Sequence, residues 1–192
     1  MKKYQIIYAD PPWDYGAFPS ASETHAYPLM PTEDICALGV SDIAHSDAVL
    51  FLWATMSKLP DAFRVIEAWG FNYVTNGFTW VKTNPRARSP FLGMGYWTRQ
   101  NAELCLLAKR GRPTRRDNRT SSLIVSPRRQ HSRKPDQVRD MIVRICGDIP
   151  RVELFARSKT PGWDIWGNEL NNDCQLTISH NAGSRKLAEV AE

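Results

Sequence analysis

The chain has 192 residues, a net charge of +5 and four cysteines, and 42% of its residues are hydrophobic, enough for one domain with a substantial core. Its apolar runs fall short of the ~20 residues a bilayer span requires, and Cys36, Cys105, Cys146 and Cys174 are too widely spaced for a Cys-x-x-Cys metal site or a disulfide framework. No apolar leader follows Met1-Lys2-Lys3, so the composition predicts a soluble protein of a reducing compartment, with no metal centre and no membrane association.

Gln5 to Ala9 is a short apolar run with no space for a helix before it. It reads as a buried strand that ends abruptly in Asp10-Pro11-Pro12-Trp13. Proline has a fixed φ and no N–H, so the carbonyls of Asp10 and Pro11 are predicted to stay available as acceptors beside the Asp10 carboxylate. That set matches a planar group bearing an NH2, such as the Watson–Crick edge of an extruded adenine. The carboxylate and a carbonyl accept its two N–H bonds, and Trp13 or Tyr15 stacks on its face. Taken alone, Asp-Pro-Pro also suits a stiff turn with Trp13 as a core anchor.

Residues 14 to 30 form a loop long enough to be a lid or a binding loop. Thr32 is the predicted N-cap of a short helix through Leu38, with Glu33 and Asp34 in its first turn. Ala48 to Trp53 reads as a strand buried on both faces. Ser57 and Pro60 open a helix whose Leu59, Phe63, Ile66 and Trp69 share the core face and which Gly70 closes. Residues 71 to 83 read as one or two strands, with Asn76-Gly77 as a turn signal.

A second long loop at 84 to 98 precedes a strand at 102 to 108. Leu123 to Val125 is a short strand, and Ser126 to Lys134 a third loop. Ser132 is the predicted cap of a helix running to Cys146, with Val138, Met141, Ile142 and Ile145 on one face and Gly147 as its stop. Arg151 to Phe155 is the last strand; a polar tail from about residue 171 holds a short helical pattern near 186 to 190. Strands alternating with helices predict an α/β fold with a mostly parallel sheet flanked by helices, whose ligands bind outside the carboxyl ends of the strands. There is no Gly-x-Gly-x-x-Gly.

Residues 82 to 134 hold 14 Lys/Arg against only Glu103 and Asp117, an excess of 12 positive charges that leaves the rest of the chain at −7. Interleaved with Trp80, Phe91, Tyr96 and Trp97, this block predicts a polyanion with stackable bases, Arg99, Arg115, Arg116 and Arg119 among its contacts. A solvated basic loop is the plainer alternative.

Asp10-Pro11-Pro12-Trp13 after a hydrophobic strand resembles motif IV of amino methyltransferases, in the form it takes in the MT-A70 family of N6-adenine methyltransferases. Val49-Leu50-Phe51-Leu52-Trp53-Ala54-Thr55, Trp69-Gly70-Phe71 and Trp80-Val81-Lys82-Thr83-Asn84 resemble further landmarks of that family. So, in the same order, do Lys134-Pro135-Asp136, Glu153-Leu154-Phe155-Ala156-Arg157 and Trp166-Gly167-Asn168-Glu169. The resemblance covers roughly residues 4 to 170. It implies a Rossmann-like S-adenosylmethionine-dependent methyltransferase fold with permuted motif order, as one domain over 1–170 followed by a tail over 171–192.

The resemblance also implies roles. Asp10, Pro11, Pro12 and Trp13 form the catalytic tetrad. S-adenosylmethionine is held by Asp10, by Lys134 near its methionine part, by Arg157 in the ribose region, and by Asn168 and Glu169 on the ribose hydroxyls. Tyr27 and Glu103 line the target-base pocket. Because the exocyclic nitrogen of adenine is a poor nucleophile, two acceptors must localise its lone pair, and transfer then depends on proximity, orientation and fixed dipoles, without a metal or a covalent intermediate. Where the RNA enzymes tend to have Asn-His, this chain has Arg99-Gln100.

The reading is therefore an N6-adenine methyltransferase acting on nucleic acid, with DNA favoured over RNA, in the cytoplasm of a bacterial or phage-infected cell. A homodimer is compatible with the loop at 84 to 98. Methylation of RNA adenosine, N4 methylation of cytosine and a non-catalytic nucleic-acid-binding partner subunit are the competing readings.

Overall fold

The computed structural model describes residues 2–16, 28–86, 89–93, 95, 97–129, 133–168 and 170–178. Its seven strands are β1 (Tyr4–Ala9), β2 (Ala44–Ala54), β3 (Asn72–Thr83), β4 (Ala102–Arg110), β5 (Leu123–Pro127), β6 (Arg151–Leu154) and β7 (Asp164–Trp166). They form one sheet in the order β5-β3-β4-β2-β1-β6-β7. The helices are α1 (Thr32–Ala37), α2 (Val40–Ile43), α3 (Leu59–Ala68) and α4 (Gln137–Cys146).

Four of the strand pairings are parallel, as expected of an α/β sheet; β4 alone runs antiparallel, between β2 and β3. This exception serves the site. Leu104 pairs with Ala54, so the start of β4 lies at the carboxyl end of β2.

Side chains alternate across the central strand. Ile7 and Ala9 face a core shared with Leu50, Leu52, Val65 and Trp69, which α1, α2 and α3 close. Ile6 and Tyr8 face a second core with Phe51, Trp53, Phe78 and Trp80, which Val138 and Ile142 of α4 close. Each large apolar side chain so buried contributes about 1.5–3 kcal/mol. Trp69 is fully buried, as its place in the helix pattern suggested, and its indole N–H donates to the Ile35 carbonyl at 2.8 Å.

Several local expectations are corrected. Pro31 occupies the N-cap of α1, and Thr32 is the buried first helical residue. Phe63 does not face the core: it is 42% exposed, with its ring edge-on to Tyr73. Asn76-Gly77 does not turn the chain. It lies inside one long strand, where the pairing with β4 shifts register between Asn76 and Phe78. Asp136, not Ser132, occupies the N-cap of α4; Ser132 and the segment 186–190 lie outside the described residues. The short β7 and α2 have no counterpart among the predicted elements, being too brief for a periodic pattern.

The connection from β1 to β2 runs through α1 and α2 on one face of the sheet, and that from β5 to β6 through α4 on the other. The two diverge at the boundary between β1 and β6. Their carboxyl ends therefore form a topological switch point, where a crevice opens.

Candidate active site

Asp10 leaves the end of β1 at this switch point. Asp10, Pro11, Tyr15, Thr55, Glu103, Lys134 and Arg157 line one cleft with Trp13 and Trp53. The prolines keep the backbone extended past the strand, and its carbonyls find local donors. The Trp13 N–H donates to the Pro11 carbonyl at 2.9 Å, and the Met30 N–H to the Pro12 carbonyl at 2.8 Å. The Pro11 oxygen is thus not left wholly available, and its second lone pair is what remains for a ligand.

Trp13 is only 4% exposed, and its indole N–H donates to the Trp53 carbonyl at 3.0 Å. It anchors the loop to the core and offers no open face for stacking. Tyr15 is the more accessible aromatic of the two, its hydroxyl 3.2 Å from the Thr55 Oγ1. Burial raises the pKa of its phenol, which stays neutral.

The charges of the cleft form a row. Lys134 Nζ lies 2.7 and 2.8 Å from the two oxygens of Asp10 and 3.2 Å from Glu103 Oε2. Lys82 pairs with the other Glu103 oxygen, Oε1. Lys134 also sits over the Trp53 ring at 5.5 Å and Lys82 over that of Trp80 at 5.1 Å. Burial alone disfavours the ammonium of Lys134, but the Asp10 and Glu103 carboxylates outweigh it and hold its pKa above the ordinary lysine range. Burial likewise disfavours the Glu103 carboxylate, yet Lys134 and Lys82 hold its pKa below normal. Sequence reasoning gave Glu103 and Lys134 separate ligands. Here they share a salt bridge, and Lys82, expected only as part of the basic block, completes the row.

β6 stops at Leu154, one residue before the predicted end at Phe155, and Arg157 stands exposed at the rim of the cleft. Phe155 makes the turn with φ 61°, its ring edge-on to Trp166. The Ala156 N–H donates to the Trp166 carbonyl at 3.0 Å, which brings Arg157 and the exposed Asn168 to the ends of neighbouring strands. Gly167 is required there, since a Cβ would lie 2.3 Å from the Ala156 oxygen. Tyr27 and Glu169 lie outside the described residues.

The basic block is divided. Arg99 follows the loop after β3 and is exposed near the amino end of β4, on the side of the cleft. The Arg128 N–H donates to the Thr83 carbonyl at 3.0 Å, and its guanidinium covers Phe91 at 4.4 Å, at that same end. Arg115, Arg116 and Arg119 are not brought there. The Arg116 N–H donates to Ile145 at the end of α4, and Arg116 shares a pocket with Gln5 at the amino end of β1. The six residues of β1 separate the two ends, about 20 Å. Among the described residues no group of three or more His, Cys, Asp or Glu is placed to hold a metal, and no helix is long and apolar enough to cross a membrane.

The MT-A70 family model matches residues 4–169. The chain is 35% identical to the Type II methyltransferase M.MunI of Mycoplasma sp, over 88% of this chain and 78% of that one. It is 34% identical to a probable N(6)-adenosine-methyltransferase MT-A70-like protein of Oryza sativa, over 89% of this chain and 24% of that protein. With the human N(6)-adenosine-methyltransferase catalytic subunit METTL3 it shares 30% identity, over 89% of this chain and 29% of the subunit. The chain thus spans most of the Mycoplasma protein and less than a third of the rice and human ones. With its Asp-Pro-Pro-Trp segment seated at the switch point of the sheet and the match running over nearly its whole described length, the chain belongs to the MT-A70 family.

Proposed function

We propose that this protein transfers a methyl group from S-adenosylmethionine to the N6 amine of adenine in nucleic acid, with DNA as the substrate. The observation that carries the reading is the Asp10 carboxylate, delivered with the Pro11 carbonyl into a cleft at the carboxyl ends of β1, β2 and β6. The donor set fits the cofactor. Asp10 and Lys134, a pair of opposite charges, suit an amino-acid zwitterion, and Arg157 and Asn168 on neighbouring strand ends suit its carboxylate and ribose hydroxyls. When bound, S-adenosylmethionine supplies a methyl group on a positively charged sulfonium.

The chain's own residues do the rest. The Asp10 carboxylate accepts one N6–H and the second lone pair of the Pro11 carbonyl accepts the other, which draws the nitrogen towards tetrahedral geometry and localises its lone pair. Tyr15 covers the base, and Trp13 and Trp53 exclude water from the floor of the cleft. The methylated amine then sheds one proton, for which Asp10 is the base in reach. Arg99, Arg128 and the rest of the basic charge on this side hold the phosphates. The span of the match to a Type II methyltransferase supports DNA over RNA, because the adenosine methyltransferases are matched over a quarter or so of their length.

The test is methyl transfer from labelled S-adenosylmethionine to double-stranded DNA, single-stranded DNA and RNA in parallel, with Asp10→Ala as control. The expected product is N6-methyladenine in DNA by mass spectrometry, reduced by about a thousandfold or more in the variant. N4-methylcytosine, label confined to RNA, or transfer unaffected by Asp10→Ala would each overturn the assignment.

A further inference from the structure

Lys82 and Glu103 carry buried charges that the chemistry above does not use. Lys82 projects from β3 and Glu103 from β4, and their side chains are 17% and 9% exposed. Along the cleft the charges alternate, Asp10, Lys134, Glu103, Lys82, two acids and two bases that sum to zero. Lys134 contacts both oxygens of Asp10, so an N6–H competes with the ammonium for the carboxylate's lone pairs, and Asp10 is the stronger acceptor once Lys134 shifts towards another counter-charge. Glu103 Oε2, 3.2 Å away, is the only other carboxylate oxygen within ion-pair distance of Lys134 among the described residues.

We propose that Lys82 is a positioning residue: it holds Glu103 as the second counter-charge to which Lys134 swings when Asp10 takes up the substrate amine. The inference rests on the proposed role of Asp10. Glu103 must be ionised to receive Lys134, and a carboxylate this buried with only a shared cation tends to take a proton. Among the described residues the groups facing it are Lys134 before α4, Lys82 on β3, Asp10 after β1 and the neutral phenol of Tyr15. Lys82 is the one cation that Glu103 does not share with Asp10 among the described residues.

The sign follows. Removing the Lys82 charge raises the pKa of Glu103, and protonated Glu103 offers Lys134 no counter-charge, so the acid limb of kcat moves to higher pH. Lys82→Met is expected to lose about tenfold in kcat for each pH unit below its shifted limb, to recover towards wild type at alkaline pH, and to leave KM for S-adenosylmethionine within about twofold. Lys82→Arg keeps the charge and is expected to retain the wild-type profile. Carbon-13 NMR of the Glu103 carboxyl reads the same titration without turnover, and its midpoint is expected to rise by about one unit or more in Lys82→Met. A loss independent of pH and not rescued by arginine, or an unmoved Glu103 titration, would overturn the inference. If the wild type methylates no nucleic acid, the proposed function fails instead, and the NMR titration alone decides the role of Lys82.

Discussion

Lys134 and Glu103 are displaced from their ordinary titration ranges in opposite directions, and each displacement has a consequence for stability. The pKa of Lys134 is raised in the folded chain. Its contribution is fully present below the ordinary lysine value, about 10.4, and fades as pH rises through the folded value. Glu103 is lowered, so its contribution is present above about pH 4.3 and is lost as pH falls through the folded value. Melting temperature against pH is therefore expected to be flat between about pH 5 and 9 as far as these two groups are concerned. Lys134→Met is expected to flatten the alkaline fall and Glu103→Gln the acid fall; limbs unchanged in both variants would show that the row carries little folding energy. At this scale the sequence was informative where the chemistry is contiguous. Asp10-Pro11-Pro12-Trp13 could be read as a site because its groups are neighbours in the chain. That Trp13 faces inward depends on the Trp53 carbonyl 40 residues away, and the partnership of Lys82 with Glu103 on the pairing of β3 with β4, neither of which a single stretch reveals.

Among the elements, the helices α3 and α4 were legible because ten residues suffice to show a helical period. β7, with three residues, shows none. Asn76-Gly77 misled because its turn propensity is real but is overridden where β3 is paired along its length with β4. Its glycine has a different use. A Cβ at Gly77 would lie 3.1 Å from the Cys105 oxygen and 3.3 Å from both Leu107 Cβ and Phe51 Cδ1, so glycine here permits the close approach that carries the bulge. Gly77→Ala is expected to cost about 1–3 kcal/mol, measured by urea unfolding with an unchanged m-value. Because β3 is one of the two strands that hold β4, the variant should also weaken the placement of Glu103 and lower kcat; a full-stability variant would mean that the bulge has room to relax.

Across the whole molecule, the basic block that is continuous in sequence is cut in two by the fold. β3 and β5 carry the chain towards the cleft end of the sheet and β4 carries it away, so the described residues of 84–101 and 128–134 lie at that end while 111–122 lie at the far end. Neutralising Arg99, Arg128 and Arg129 is expected to flatten the salt dependence of duplex binding by about one unit of log–log slope for each phosphate that no longer meets a cation. Neutralising Arg115, Arg116 and Arg119 is expected to leave methylation of a short duplex unchanged, and an equal effect from both sets would place the duplex elsewhere. Charge composition pointed to a polyanion; only the strand directions say which arginines can meet it.

The lone reversed strand has one more consequence. Because β4 returns the chain to the far end, the segment from Gly111 to Ser122 joins two strands without entering the cleft. It is a place where a tag or reporter can be inserted while the described groups around Asp10 keep their neighbours. Opening the chain between Thr83 and Asn101 breaks the cleft itself. A variant with a short reporter inserted after Asn118 is expected to keep methyl transfer, and its loss would show that the far end communicates with the site.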